Sequence, residues 1–258
     1  MVRFNWSVKR IYHSMKISIA GMKLKIGSKK KKWISYGDSI TASNEWQPAV
    51  AEALNLRHIN RGISGTTIAE TGSIAWIDKN GNFKAKPPAD QPKGTIEILS
   101  SFCSSQRINA TIPLDSQLIT IMGGTNDFND SVPLGNGLPT PEKPTLDEST
   151  FIGGLCSTVE KIQARVPKCR VILMTPVPRY HDGGYEYKNK AGALTSDYAQ
   201  IVREVANFYG LPCIDLFATV GWNKINGNLY LRDSMHPNPK GNARMAEVII
   251  GELEVLQQ

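Results

Sequence analysis

The chain has 258 residues, of which 41% are hydrophobic and 21% charged, and these values exclude both a peptide-sized disulfide scaffold and wholesale disorder. The net charge of +7 comes from the start of the chain, because residues 1–32 contain ten Lys or Arg and no acid. The remainder carries 20 basic and 23 acidic groups, so we expect no nucleic-acid partner for the body of the protein.

Residues 1–32 are interpreted as a basic N-terminal arm. Alternating apolar residues around Gly21 predict a short hairpin over residues 14–27, with a frayed basic tail as the alternative. Lysines interrupt the apolar stretches, so we expect neither a signal peptide nor a membrane span. Attachment to a larger assembly is one role open to this arm. The compartment stays open between cytoplasmic and assembly-associated, for example on a cell surface or a virion.

Short apolar runs alternate with helical patterns from residue 33 onward. The runs predict five strands, over residues 33–36, 56–60, 117–122, 170–174 and 212–216. Apolar residues at spacings of three and four predict five helices, over residues 46–54, 95–102, 150–165, 194–209 and 242–256. Strands that alternate with helices indicate an α/β fold with a parallel sheet between two layers of helices.

Polar segments punctuated by glycine follow the first three predicted strands. They contain Gly37-Asp38-Ser39, then Gly62 to Gly65, then Gly123 to Asp127. Because the carboxyl ends of parallel strands meet at one edge of a sheet, we expect ligand chemistry there. A serine directly after a strand is a candidate nucleophile, although Asp and Ser also suit the cap of a helix.

A serine hydroxyl needs a base, and His236 is the best placed of the four histidines. Asp233 precedes it by three residues, so on a turn its carboxylate can reach the imidazole, although a surface turn has the same spacing. A developing oxyanion needs donors, which the backbone of Gly65 and the amide of Asn126 can supply, although each is also an ordinary turn residue. Their joint occurrence, in order, favours a catalytic function.

With these segments identified, the chain resembles the SGNH (GDSL-type) hydrolases over about residues 33–256. The resemblance lies in the motifs that begin at Gly37, Asn60, Gly124 and Asp233. It implies a flavodoxin-like, three-layer α/β/α fold and a metal-independent esterase in a hydrolase domain over residues 33–258. It further implies a catalytic triad of Ser39, His236 and Asp233. The oxyanion hole of such an enzyme would consist of Ser39, Gly65 and Asn126.

Aromatic residues in the long loops favour an acetylated carbohydrate as substrate, with simple packing of these rings as the alternative. They are Trp76, Tyr180, Tyr185, Tyr187, Trp222 and Tyr230. We therefore expect a serine esterase that removes acyl groups, acetyl foremost, from a small-molecule or glycan ester. A lysophospholipase-like or thioesterase-like acyl hydrolase, and a glycan-binding module on the same scaffold, are the alternative functions.

Short motifs predict neither a metal nor a cofactor. No close cluster of His and Cys and no nucleotide-binding glycine motif occurs in the sequence. The cysteines have no C-x-x-C spacing, so we expect buried free thiols rather than disulfides at Cys103, Cys156, Cys169 and Cys213.

Overall fold

The computed structural model describes residues 30–78, 83–84, 95–142, 144–180 and 186–256. The chain divides into two units, Met1–Lys30 and Lys31–Gln258. The expected arm lies outside the described residues up to residue 29, so the arm and its hairpin stay predictions there. Lys31 and Lys32, which are expected in the arm, belong to the first strand instead. Within the described part of the chain, no helix combines the length and the apolar character that crossing a bilayer requires.

Helices separate most of the strands along the described residues. The strands are β1 (Lys31–Gly37), β2 (Leu56–Gly62), β3 (Ile74–Ile77), β4 (Phe83–Lys84), β5 (Ile96–Leu99), β6 (Leu118–Met122), β7 (Arg170–Met174) and β8 (Cys213–Ile214). The helices are α1 (Ser39–Ala42), α2 (Gln47–Ala53), α3 (Ser105–Thr111), α4 (Thr125–Asn129), α5 (Phe151–Arg165), α6 (Thr195–Phe208), α7 (Leu216–Thr219) and α8 (Pro239–Val255). A 3₁₀ turn covers Gly227–Leu229.

Five strands form one parallel sheet in the order β2-β1-β6-β7-β8. The register aligns Gly37, the last residue of β1, with Gly62 on one side and Met122 on the other. The polar segments that follow these three strands therefore leave the sheet at the same edge. This confirms the parallel sheet of five strands and the shared edge that the sequence predicts.

Two separate hydrophobic clusters cover the two faces of the sheet. Ile119 and Leu173 belong to one cluster, which includes residues of α5 and α6. Leu118 and Ile172 belong to the other, which includes residues of α2 and α8. Neighbouring residues of one strand point to opposite faces, so each strand contributes to both clusters. The arrangement confirms a three-layer α/β/α fold.

A small antiparallel sheet, in the order β4-β3-β5, lies in the connection between β2 and α3. The predicted helix over residues 95–102 is wrong, because Ile96–Leu99 is strand β5. Its β-branched residues alternate, with Ile98 buried opposite Ala75 and Ile96 more than half exposed. In so short a segment, pairing with β3 outweighs the weak helical spacing.

The other predicted elements correspond to observed ones, with identical bounds for Arg170–Met174 and shifted ends for the rest. Helix α8 begins three residues before its predicted start, because the Asn238 side chain accepts hydrogen bonds from the first N–H groups and Pro239 follows it. The fifth strand of the main sheet stops at Ile214, because Asp215 caps α7. All four cysteines are free, but only Cys103 and Cys156 are buried, whereas the other two are half-buried.

Candidate active site

Ser39 begins helix α1 directly after β1. The Asp38 side chain caps this helix by accepting a hydrogen bond of 2.9 Å from the N–H of Ile40. A side chain at Gly37 would place its Cβ 2.0 Å from the Thr41 hydroxyl oxygen, so only glycine fits the last position of the strand. The Gly-Asp-Ser sequence thus makes a close strand-to-helix turn that leaves Ser39 half-buried at the sheet edge.

Ser39, His236 and Asp233 form a chain of hydrogen bonds. The Ser39 Oγ lies 2.9 Å from Nε2 of His236, and the Nδ1 of that imidazole lies 2.9 Å from Oδ2 of Asp233. The other carboxylate oxygen accepts the backbone N–H of His236 at 2.6 Å and that of Met235 at 2.9 Å. The turn thereby fixes both the carboxylate and the ring. Of the five residues expected at the site, these three are in direct contact.

Charge at this turn follows from its hydrogen bonds. Partial burial acts to raise the pKa of Asp233, but the donors on His236 and Met235 outweigh it, so the pKa lies below its ordinary value. Asp233 is therefore ionised at neutral pH. An ionised carboxylate against Nδ1 favours the tautomer in which Nδ1 carries the proton and Nε2 can accept one from Ser39.

Gly65 and Asn126 are joined through Thr66. Gly65 has a φ of +77°, a left-handed conformation, and no atom lies within 4 Å of where its Cβ would be. The amide nitrogen of Asn126, a residue at the start of α4, donates a hydrogen bond of 2.9 Å to the Thr66 carbonyl. This bond uses one amide hydrogen, and the second has no partner among the described residues. The glycine and asparagine segments are thus held side by side.

Two buried carboxyl groups flank these segments. Asp127 accepts hydrogen bonds of 3.0 Å from the N–H groups of Ile68 and Ala69, which ties α4 to the glycine segment. Burial raises the pKa of Asp127 to about 7 and that of Asp38 to about 6. Both residues stand in the motifs, but the sequence alone assigned neither a role.

Two buried arginines at this edge have no counterpart among the residues expected from sequence. Arg107, on α3, is fully buried, and Arg179, after β7, is 5% exposed. Arg179 donates a hydrogen bond of 3.0 Å to the Thr125 carbonyl, and its guanidinium lies 4.9 Å from the centre of the Phe128 ring. Arginine is seldom buried, so composition and spacing carried no signal for either residue.

His58 also contacts a serine hydroxyl, but it is not part of the Ser39 site. It lies in β2, where its Nε2 is 2.8 Å from the Ser35 hydroxyl and its ring packs 4.5 Å from that of Trp33. Burial lowers the pKa of His58 to about 4, so this ring is neutral at physiological pH. Its contacts belong to the packing of the sheet, and it is not part of the Ser39 site.

The aromatic residues expected in the loops do not form one exposed set. Trp222 is buried, and its ring centre lies 5.5 Å from that of Tyr230. Trp76 lies on strand β3 rather than in a loop. Tyr187 is 45% exposed, and Tyr185 lies outside the described residues. The expectation of a sugar-binding platform is therefore wrong for Trp222, whose face is covered.

Among the residues that the structure describes, no three His, Cys, Asp or Glu side chains are grouped so that they could hold a metal ion. The candidate site consists instead of hydroxyl, imidazole, carboxylate and amide groups. Such a set suits proton transfer and the stabilisation of an oxyanion.

Curated proteins are similar in sequence to part of this chain. An acetylxylan esterase from Xylanibacter ruminicola is 33% identical over 85 residues, which are 33% of this chain and 16% of that protein. An isoamyl acetate-hydrolyzing esterase 1 homolog from Bos taurus is 30% identical over 138 residues, which are 50% of this chain and 53% of that protein. The chain thus matches about half or less of the length of these curated relatives.

The fold is shared more widely than the sequence. A crystal structure of a protein from Lactobacillus plantarum has a TM-score of 0.68 at 23% identity and covers 89% of this chain and 99% of its own. The profile of the GDSL-like lipase/acylhydrolase family matches residues 35–244, a range that contains every one of the five expected site residues. This confirms the resemblance drawn from the four motifs. The chain belongs to the GDSL-like lipase/acylhydrolase family.

Proposed function

We propose that this protein is a serine ester hydrolase in which Ser39 is the nucleophile. The observation that carries the proposal is the continuous hydrogen-bond chain from the Ser39 Oγ through the imidazole of His236 to the carboxylate of Asp233, with 2.9 Å at each step. A serine hydroxyl is a weak nucleophile unless a base removes its proton, and this chain supplies the base and its orienting group.

The reaction runs in two halves. His236 takes the hydroxyl proton as Ser39 attacks the ester carbonyl, and then gives that proton to the departing alcohol, which leaves an acyl-serine. Water next attacks the acyl group while His236 accepts its proton, and the ring returns the proton to Ser39 as the acid departs. Asp233 stays ionised throughout and stabilises the imidazolium that forms in each half.

Three donors stabilise the tetrahedral oxyanion in this proposal. They are the backbone N–H of Ser39, the backbone N–H of Gly65 and the side-chain amide of Asn126. The free second hydrogen of the Asn126 amide and the side-chain-free surface of Gly65 support these roles. Donors fixed before the reaction stabilise charge as it develops and need no reorganisation.

An acetyl ester is the substrate that we propose, and an acetylated carbohydrate is the first class to test. Both curated relatives are named for acetyl esters, one of a xylan and one of isoamyl alcohol. The second relative favours a small acetyl ester of an uncharged alcohol as the alternative substrate. The acetyl group is common to both names, and the identity of the alcohol separates them.

The first experiment tests the nucleophile. We expect Ser39→Ala to lower kcat on p-nitrophenyl acetate by on the order of 10⁶-fold, because the triad acts as a unit. A fluorophosphonate should label the wild type at Ser39 and leave the variant unlabelled. Ser43→Ala is the control, because that hydroxyl donates to the Ile40 carbonyl and lies outside the proposed triad. Full activity in Ser39→Ala, or no turnover by the wild type, contradicts the proposal, and the second result favours a glycan-binding module.

The second experiment tests the substrate class. The enzyme is assayed on acetylated xylo-oligosaccharides, isoamyl acetate and p-nitrophenyl esters of increasing acyl length. We expect the highest kcat/KM on an acetylated oligosaccharide and a fall as the acyl chain lengthens. A rise with acyl length would instead support the lysophospholipase-like or thioesterase-like alternative.

A further inference from the structure

Arg107 joins the segments on which the proposed chemistry depends. We propose that Arg107 is a positioning residue that holds the Ser39 turn and the Gly65 turn in catalytic register. The inference rests on the proposed ester hydrolysis and adds to it a residue that belongs to none of the four motifs. It starts from the four hydrogen bonds that the buried guanidinium makes.

The guanidinium contacts both turns directly. One terminal nitrogen donates to the Gly37 carbonyl at 2.6 Å and to the Arg61 carbonyl at 3.2 Å. The other donates to the Thr66 hydroxyl oxygen at 3.0 Å and to the Ser100 carbonyl at 2.6 Å. Gly37 lies two residues before the nucleophile, and Thr66 directly follows Gly65.

Two of these acceptors, the Gly37 carbonyl and the Thr66 hydroxyl, are held by a second contact. The Gly37 carbonyl also accepts the backbone N–H of Ile63 at 3.0 Å, which fixes the peptide that leads into the serine turn. The Thr66 hydroxyl donates to the Ile63 carbonyl at 2.8 Å, and the Thr66 carbonyl accepts the amide of Asn126. A displaced guanidinium would therefore loosen the Ser39 turn, which holds the proposed nucleophile and one oxyanion donor. It would also loosen the other two proposed donors, Gly65 and Asn126.

Stability alone gives a weak reason for a charge at this position. Burial disfavours the cation and lowers the pKa of Arg107, although the nearby Tyr36 and Asp38 act in the opposite direction. Among the described residues, its Nε has no hydrogen-bond partner and no carboxylate lies within ion-pair distance of it. The cation instead lies over aromatic rings, 4.3 Å from the centre of Tyr36 and 4.5 Å from that of Phe102. A buried cation without an ion-pair partner carries a desolvation cost that only its hydrogen bonds and ring contacts offset. The directional bonds of the guanidinium are what an apolar residue could not supply.

The test compares Arg107 with a matched arginine. Arg165, at the end of α5, also bonds backbone carbonyls, namely those of Ile112 and Asn109, but it touches no motif segment. We expect Arg107→Met to lower kcat on p-nitrophenyl acetate by about 10²-fold with little change in KM, because small displacements of reacting groups cost that much. Arg107→Lys should recover part of the loss, and Arg165→Met should keep the wild-type kcat.

Melting curves define a temperature at which every variant is folded, and the kinetics are measured there. A folded Arg107→Met enzyme with wild-type kcat would overturn the inference, as would an equal loss of kcat in Arg165→Met. If Arg107→Met does not fold, Thr66→Val replaces it in the test. This variant removes the hydroxyl oxygen that accepts a hydrogen bond from the guanidinium and keeps the shape of the side chain. A loss of kcat in Thr66→Val, smaller than the one expected for Arg107→Met, then supports the inference, and an unchanged kcat overturns it.

Ser39→Ala, assayed alongside, separates this inference from the proposed function. Wild-type activity in Ser39→Ala would sink the proposed mechanism, and the role of Arg107 would fall with it. If Ser39→Ala is inactive while the Arg107 variants keep their kcat, the ester hydrolase stands and only the positioning role is wrong.

Discussion

For Asn126, a role in substrate binding can be tested separately from the proposed role in catalysis. We expect Asn126→Ala to lower kcat by about 10²–10³-fold while KM changes little, because an oxyanion donor meets charge only as it develops. Measurements of kcat and KM with p-nitrophenyl acetate check this. Asn129→Ala is the control on the same helix, since the one hydrogen bond of its amide to the described residues goes to the Met235 sulfur, at 3.8 Å.

The bond from Asn126 to the Thr66 carbonyl gives a competing explanation, in which the amide only holds the glycine segment in place. That explanation predicts a lower melting temperature together with a nearly intact kcat. Thermal unfolding of the same variant therefore decides between the two roles, and such a result would make the oxyanion assignment wrong.

Individual site residues differ in how far their sequence neighbourhood reveals them. Asp233 and His236 are three residues apart, so a single turn brings them together and the spacing is visible in the sequence. Ser39 and Asn126 follow apolar strands, and the rule for parallel sheets brings their segments to one edge. Arg107 has no such local pattern, because its burial depends on carbonyls at positions 37, 61 and 100 that only the folded chain assembles.

At the scale of elements, helix α5 packs closely against residues 68–69, which follow the glycine segment. A Cβ on Gly154 would lie 2.8 Å from the Ala69 Cα and 2.8 Å from the Ile68 carbonyl oxygen, both of them backbone atoms. These two residues also supply the N–H groups that Asp127 accepts. The spacing of α5 from residues 68–69 therefore bears on the position of the site.

We expect Gly154→Ala to destabilise the protein, although alanine is favoured over glycine within a helix by roughly 0.5–1 kcal/mol. The clash with fixed backbone should outweigh that gain. Gly251→Ala, in α8, is the matched variant, because no atom lies within 4 Å of its Cβ position, and it should stabilise by the helical amount. Chemical denaturation of both variants checks the pair, and equal stabilisation would mean that α5 can move away from Ala69.

The sequence predicts an element correctly where the segment is buried along nearly its whole length. It fails where the conformation of the segment depends on pairing with another strand. Strands β6 and β7 are apolar except for Thr120 and the exposed Arg170, so sequence identifies them as buried strands of a parallel sheet. Strand β5 has four residues, and its letters suit either a helix or a strand. Its partner β3 lies about twenty residues earlier, so information outside the segment decides its conformation.

For the molecule as a whole, the buried acids predict how stability depends on pH. Burial raises the pKa of Asp38 to about 6 and that of Asp127 to about 7, above the ordinary value of 3.8. Between about pH 4 and 7 the folded chain therefore keeps protons that the unfolded chain releases. Stability should fall as the pH rises through this window, by roughly 2–3 kcal/mol for the Asp38 shift.

Asp38→Asn tests this, because the amide oxygen can still accept the N–H of Ile40 while the group no longer titrates. Denaturation between pH 4.5 and 7.5 should give a smaller loss of stability with pH in the variant than in the wild type. Carboxylates with lowered pKa values, such as Asp233, contribute below that range and with the opposite sign. Identical slopes for the two proteins would show that Asp38 is ionised in the folded state throughout.

The contact between Ser39 and His236 joins positions 197 residues apart in the chain. Asn242 bonds the Glu45 carboxylate at 2.5 Å across the same separation, so the last helix docks on the first part of the chain. Loop closure over such distances is slow, and long-range contacts form late when a chain refolds. Recovery of the proposed esterase activity after dilution from denaturant should consequently lag behind recovery of helical circular dichroism. During synthesis, Ser39 therefore cannot contact His236 until the turn that carries His236 has left the ribosome.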